Sequence, residues 1–347
     1  MLTLSQATAD TRKILKYLAI FFGAILSIII IVRGIFALKE IISPTPPLPP
    51  TVSFGRLPKI DFPQSATQKK LKYTLNTISG GLPTFPDRAT VNKMVYYAPN
   101  VLDVDNANRL ANAAGFPTKG TSLSDVNYRW NDLSAFQREL TMNVVTKDFI
   151  ISSLFLKNPD TISAKKLGNE QTAAASATNF LQTMNEFAPD LDSSKTSTIL
   201  YSIVNGALLP ASSLSNTQVI GVYFYQKDVN GLPIFYQNGG VSSMNVLVGG
   251  GQYSTEVVAV NFAHQEVSST SATYPIKTTR EALSDLKSGR GYIARYDVST
   301  EDISIKNVFL AYYLGENKQE FLMPVVVFAG EGFYGYVSAA RDEWLDK

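Results

Sequence analysis

The sequence predicts an α+β protein: an N-terminal transmembrane helix, then tandem lobes of antiparallel β-sheet, each packed by a helix. Three observations predict it. One apolar run near the N-terminus is uninterrupted by charge. Many short segments alternate apolar and polar residues between Gly, Asn and Pro turns. Only three further segments have helical spacing, and each is followed by several strands. Consecutive strands after a helix imply antiparallel sheets, because parallel neighbours need a crossover between them.

The apolar run is YLAIFFGAILSIIIIVRGIFAL, residues 17–38. Tyr17 to Val32 carries no charge and Arg33 can snorkel towards an interface. At 1.5 Å per residue the run extends about 33 Å, enough to cross a bilayer. A buried core helix and a cleaved signal peptide are the alternatives; the length of the run and the lack of a small-x-small cleavage site favour an anchor. Arg12, Lys13 and Lys16 precede it, while Arg33 and Lys39 follow. This narrow bias sets residues 1–16 as a cytoplasmic tail and the bulk as extracytoplasmic, in a single-pass protein of the cell membrane. Ala19, Gly23 and Ser27 recur every four residues and form a candidate helix-interaction stripe, although small residues are common in membrane helices. Residues 39–66 follow as a Pro-rich stalk; prolines 44, 46, 47, 49 and 50 favour extended polyproline II.

The remainder divides into a first lobe at 67–160 and a second at 161–347 with two helix-plus-sheet units. KLKYTLNTI and ATVNKMVYYAP read as strands. DVDNANRLANAAGF is helical, with Ala107, Leu110, Ala111 and Ala114 on one face and Asp103 or Asp105 as its cap. VNYRW, RELTMNVV and DFIISSLFL resume strand patterns. A helix from about Asn169 to Phe187 presents Ala173, Ala177, Phe180, Leu181, Met184 and Phe187. STILYSIV, QVIGVYFYQ, LPIFYQ, SSMNVLVG and STEVVAVNFAHQEV are the next strands. TTREALSDLKSG is a helix with a Thr278–Glu281 capping box and a closing Gly289. GYIARYD, IKNVFLAYYL, EFLMPVVVF and FYGYVSAA complete the series. Between VYFYQ and LPIFYQ, Asp228, Asn230 and Gly231 supply turn chemistry, so YQKDVNGLPIFYQNGG reads as a β-meander.

VVAVNFAHQEV, YPIKTTREALSDLKSGRGYI, NVFLAYYLGENKQEFLMPVVVFAG and GYVSA together resemble the YycH- and YycI-type accessory regulators of a bacterial cell-wall histidine kinase. The resemblance covers roughly residues 221–340. It implies helix–sheet units related to the PepSY and cystatin-like types, a signal-anchor, and action through contacts of the anchor and the external domain. The proline stalk and the longer first lobe depart from that pattern.

Composition narrows the chemistry. The 347 residues carry a formal charge of +2, too weak a field to argue for nucleic acid. There is no cysteine and a single histidine, His264, which excludes thiolate chemistry and multi-histidine metal sites. No G-x-S-x-G elbow accompanies His264, and its i, i+2 relation to Glu266 puts both on one face of a strand, as a hydrogen-bonded edge histidine. DVDNAN at Asp103 and DLDSSK at Asp190 lack the glycine and closing acid of a calcium loop. VGGGQY lacks the ending of a phosphate loop. No catalytic residue, cofactor or metal is expected. Aromatic clusters offer a candidate recognition surface at Tyr223, Tyr225, Phe235 and Tyr236.

The expected role is a membrane-anchored binding or regulatory protein, not an enzyme. Its partners would be the lipid bilayer and another membrane or envelope protein, such as a sensor kinase. The alternatives are an anchored hydrolase acting on envelope glycan or peptide, and a structural scaffold module.

Overall fold

A computed structural model describes residues 16, 18, 21–35, 49–134 and 136–346. The chain divides into two units, Met1–Pro49 and Pro50–Lys347. In the first, residues 21–35 form a helix with every side chain exposed. No helix among the described residues is long and apolar enough to cross a membrane. The ends of the expected 17–38 span, and the stalk from 39 to 48, lie outside the described residues.

In the second unit, Thr121–Ser122, Ala207–Pro210 and Val267–Pro275 are strands not expected from the sequence, and the described residues form seventeen strands in all. They are β1 (Lys72–Leu75), β2 (Arg88–Met94), β3 (Thr121–Ser122), β4 (Asn127–Asn131), β5 (Glu139–Asn143), β6 (Phe149–Ser152), β7 (Ser197–Val204), β8 (Ala207–Pro210) and β9 (Val219–Tyr223). Then come β10 (Ile234–Tyr236), β11 (Asn245–Gly250), β12 (Thr255–Phe262), β13 (Val267–Pro275), β14 (Tyr292–Tyr296), β15 (Asp302–Leu314), β16 (Phe321–Gly330) and β17 (Phe333–Ser338). The helices are α1 (Asp103–Ala113), the single turn α2 (Pro159–Ile162), α3 (Glu170–Thr183) and α4 (Thr279–Lys287).

The architecture is α+β with two β-sheets and few helices. A nine-stranded sheet runs β3-β4-β5-β6-β12-β11-β9-β7-β8, antiparallel throughout. An eight-stranded sheet runs β1-β15-β16-β17-β14, with β10 on β15 and β2 joining β13 to β16. This second sheet is mixed, since β1 and β10 both pair parallel to β15. The expectation of purely antiparallel sheets is corrected there. Both exceptions are strands of three or four residues reached by long excursions of chain, which satisfy the crossover requirement without a helix directly between paired strands.

Among the described residues, helices α1 and α3 pack on the nine-stranded sheet and α4 on the other, so the expectation of one helix to each sheet is corrected. Helix α3 lays Ala173, Ala177 and Leu181 against Ile220 and Val222 of β9, Val246 of β11 and Val260 of β12. That core continues to Tyr312 and Leu322 of the other sheet, so the two sheets share it. Helix α4 packs Ala282, Leu283 and Leu286 with Ile293 and Val337, and the Thr278–Glu281 capping box is formed as expected. Helix α1 buries Ala107 and Ala111 but begins after Leu102 without a side-chain cap; Asp103 instead accepts from the Asn100 amide at 2.7 Å.

Two boundaries fall differently from the sequence reading. The nine-stranded sheet takes strands from both sides of residue 160, because β6 pairs with β12 across the 160/161 division. Residues 51–62, expected in the stalk, pack on the fold: Leu57 is fully buried, donates to the Trp344 carbonyl at 2.8 Å and accepts from the Asp346 amide at 2.8 Å. Val52, Phe54 and Ile60 complete that contact with Tyr274 and Leu345. Beyond the proline run, these apolar side chains recover more by burial than an extended spacer would allow.

The expected meander is also corrected. Asn230 and Gly231 both have positive φ, as a tight type I′-like turn requires, and Val229 bridges Leu232 across them. The flanking strands then part. β9 belongs to the nine-stranded sheet, whereas β10 aligns Ile234 with Tyr312 in the other. Phe224 and Gln226 are buried where the chain passes between sheets, which holds it from returning along β9.

Candidate functional site

Where the chain crosses between the sheets, loops from five places surround a cleft of about 970 Å³. Its walls come from the start of α1, the β5–β6 turn, the segment after α3, the residues following β9 and the β12–β13 connection.

The segment after α3 owes its path to a helix stop. Asn185 takes a left-handed φ of 53°, its amide donating to the Gln182 carbonyl at 2.9 Å. The Glu186 amide reaches back to the Leu181 carbonyl at 2.8 Å, completing a Schellman motif with asparagine in the usual glycine position. This turns Glu186–Asp190 out of the helix axis and along the cleft. The opposing β5–β6 turn is held by Asn143, whose Oδ1 accepts from the amides of Val145 and Thr146 at 3.0 and 3.1 Å.

A polar cluster lines one wall. His264 Nε2 lies 2.8 and 3.0 Å from the two carboxylate oxygens of Asp190. Gln226 Nε2 donates to Asp190 Oδ2 at 2.8 Å and to the Gln265 carbonyl at 3.0 Å. Tyr97 donates its hydroxyl to Glu266 at 2.6 Å. Gln265, behind this wall, donates to the carbonyls of Gly315 and Asn317 and accepts from the Gln319 amide, which ties the β12–β13 connection to the β15–β16 turn.

Two carboxyls in the cleft are driven apart in acidity. Burial pushes the Glu186 carboxyl up to about 8, with Lys147 opposing and Asp148 adding to the rise. Burial also works against the Asp190 carboxylate, but the hydrogen bond and charge of His264, then the Gln226 hydrogen bond, hold it below its ordinary value. Near neutral pH one is a carboxylic acid and the other a carboxylate.

The residues singled out from sequence fall in different places. His264 and Glu266 lie beyond the end of β12, not within a strand, yet both line the cleft. Asp190 is their neighbour in the cleft. The proposed aromatic recognition surface is corrected. Tyr223 is 8% exposed and Tyr236 only 1%, while Tyr225 and Phe235 are half-buried. Tyr223 meets the Tyr201 hydroxyl at 2.5 Å, Tyr225 stands edge-on to Tyr236, and Phe235 packs among Phe309, Tyr334 and Tyr336. Tyr236 serves the cleft from beneath, accepting from the Gln226 amide at 3.1 Å. In the N-terminal helix, Ser27 Oγ donates to the Gly23 carbonyl at 2.9 Å, and Ala19 lies outside the described residues. Sequence reasoning missed Glu186, Gln226 and Tyr97. Asn185 falls inside the expected Asn169–Phe187 helix, and its left-handed φ ends that helix at Thr183, leaving Phe187 beyond it.

No family model matches the chain. No curated protein matches it either. Among solved structures, it is similar to an uncharacterized protein from Eubacterium rectale, at a TM-score of 0.39 and 15% identity, over 81% of this chain and 87% of that one.

Proposed function

We propose that this is a membrane-anchored, extracytoplasmic binding protein that regulates a partner through the cleft. The observation that carries the reading is the cleft's preformed wall: Asp190, His264, Gln226, Tyr97 and Glu266 are held by one another beside about 970 Å³ of open volume. Such pre-organisation lowers the ordering cost of binding. The exposed apolar side chains around residues 21–35 suit a lipid environment. The resemblance to YycH- and YycI-type regulators suggests a sensor kinase or other envelope machinery as the partner. The test places a photo-crosslinking residue at Ser269, on the cleft rim, and another at Tyr253, which does not line it, in cells. A discrete product from position 269 alone is expected; no product, or equal products, sinks the reading. Gly23→Ile separately tests the helix stripe, and unchanged in-membrane cross-linking removes it.

A second reading has its own observation. One protonated and one ionised carboxyl in a single cleft is the division of labour that glycoside hydrolysis uses. Release of reducing sugar from purified envelope, abolished by Glu186→Gln, would support an anchored hydrolase; no release by the wild-type chain eliminates it.

A further inference from the structure

One face of the eight-stranded sheet is closed by a helix and the other by the segment through which the chain enters the folded unit. Helix α4 packs with Val326, Phe328 and Val337 on the first face. Across the second face run residues 51–62, irregular in backbone and interrupted by Pro58, over two aromatic clusters. Phe54 lies against Tyr274 and Phe321, with ring centroids 6.4 and 5.2 Å away. Phe62 meets Tyr292 and Tyr313 at 5.2 and 4.8 Å. Between them Leu57 and Ile60 pack into the same apolar floor. The backbone is read as well. Tyr274, itself buried, accepts from the Phe54 amide at 3.1 Å and donates its hydroxyl to the Gly55 carbonyl at 3.0 Å. Main-chain hydrogen bonds combined with pockets for spaced side chains are how proteins hold extended peptides.

As a strap, this segment fits imperfectly. Val52 takes a φ of 39°, a conformation that is strained for a β-branched residue. Among the described residues six buried side-chain polar atoms lack a hydrogen-bond partner, and three belong to residues at the strap. Tyr313 is the neighbour of Phe62, and the carbonyl of Trp344 accepts from the Leu57 amide. Ser338 lines a cavity of about 640 Å³ with Arg56, Lys59, Ile60 and Phe62 of the strap. Buried groups of this kind gain partners when their cover lifts and water or a better-matched ligand enters. No ladder holds the strap down. Its pairing among the described residues is the isolated bridge of Leu57 to Leu345, so it can leave without unpairing a strand.

We propose that residues 51–62 are a pseudo-ligand: the aromatic face is a peptide-binding groove, held shut by this strap and opened to an extended segment of a partner protein. That segment carries two aromatic side chains at the spacing of Phe54 and Phe62, eight residues apart, and polar groups that the strap lacks. The sheet fixes both aromatic clusters, so the groove selects by spacing and by aromatic character. Tethered beside the groove, the strap competes at about millimolar effective concentration. A partner segment must therefore bind better than the strap does, and the unsatisfied atoms of Tyr313, Ser338 and Trp344 are where it can gain. Lifting the strap without replacing it bares Tyr292, Tyr313 and Phe321 to water, which couples release to binding.

Two measurements on the full chain in non-ionic detergent test the groove. In hydrogen exchange of the wild type, read at single amides by mass spectrometry, Val52, Phe54 and Leu57 are hydrogen-bonded to the body of the fold. They should exchange at least about tenfold faster than Val326 and Phe328 of β16, through an opening that leaves the sheet intact. Exchange of the two sets at one common rate overturns the proposal. The second measurement is fluorescence anisotropy with a labelled peptide of residues 50–63 as the probe. Phe54→Ser/Phe62→Ser, whose own strap is weakened, should bind the probe at least about tenfold more tightly than the wild type does. The same peptide with serine at both aromatic positions should bind that variant at least about tenfold less tightly than the parent peptide. Equal binding of the two peptides, or no binding to a variant whose Val326 and Phe328 stay protected, overturns the proposal. The exchange measurement needs no variant and decides the matter if the double substitution misfolds. Dimerisation of the wild type that excess free peptide dissolves assigns the groove to the strap of a second copy and overturns a separate partner.

Discussion

Replacing Glu186 by glutamine should make the protein less sensitive to alkali. In the folded chain burial raises this carboxyl from 4.5 to about 8, so the folded state holds a proton that the unfolded state gives up. A raised value contributes stability that is fully present below the unfolded value and lost as pH rises through the folded one. The window is therefore about pH 4.5 to 8. At about 1.4 kcal/mol per pH unit, the ceiling on the loss is about 5 kcal/mol. Glu186 is only half-buried, and water at its exposed edge reduces this to roughly 2 kcal/mol. Glutamine has nothing to titrate. Urea unfolding of wild type and Glu186→Gln at pH 4, 6, 8 and 9 should give a difference that grows in favour of the variant and flattens above pH 8. A difference independent of pH, or one growing as pH falls, would refute the reasoning from burial.

Other expectations concern the frame around the cleft. Asp132 is buried and accepts from the Arg138 guanidinium at 2.5 Å and the Arg138 amide at 2.8 Å, so Asp132→Asn should cost about 3–5 kcal/mol in denaturant unfolding by stranding the arginine charge. Adding Arg138→Met to that variant should restore part of the loss. At Gly250 any Cβ would meet the backbone of Lys165, and Gly250→Ala should lower stability by about 1–3 kcal/mol, read as a drop in melting temperature. Thr278→Val removes the hydroxyl half of the α4 capping box, leaving the residue-278 amide on Glu281, and should cost about 0.5–2 kcal/mol, measured in the same way.

Most strands and all the long helices of the folded unit were legible because their signals are local. The alternation in STILYSIV, the stripe Ala173–Ala177–Leu181 and the Thr278–Glu281 pair each act within a few residues. Strand β13 was not legible: Ser268 to Ser271 carry no apolar alternation, and their pairing with β2 is irregular there. Partner choice was also hidden. Asn230-Gly231 states that the chain turns, but nothing near it states that Ile234 will lie beside Tyr312 in another sheet. The cleft was hidden for the same reason. Glu186, Gln226 and His264 are distant in sequence, and only folding buries Glu186 enough to change its acidity. The aromatic residues misled because tyrosine is equally suited to a recognition face and to a sheet interior.

The pairing of the earliest strands with the latest has a consequence for biosynthesis. Lys72 of β1 is in register with Asp302 of β15, and Leu57 waits for Leu345. A ribosome delivers these segments in the wrong order for pairwise closure. The nascent chain must carry β1 and the apolar residues around Leu57 unpaired until residues beyond 300 have been made. Such long-range closure folds slowly and leaves strand edges open to intermolecular pairing. Until β15 and the segment around Leu345 have been made, β1 and Leu57 have no partner to close on, and over that interval they are open to chaperones and proteases.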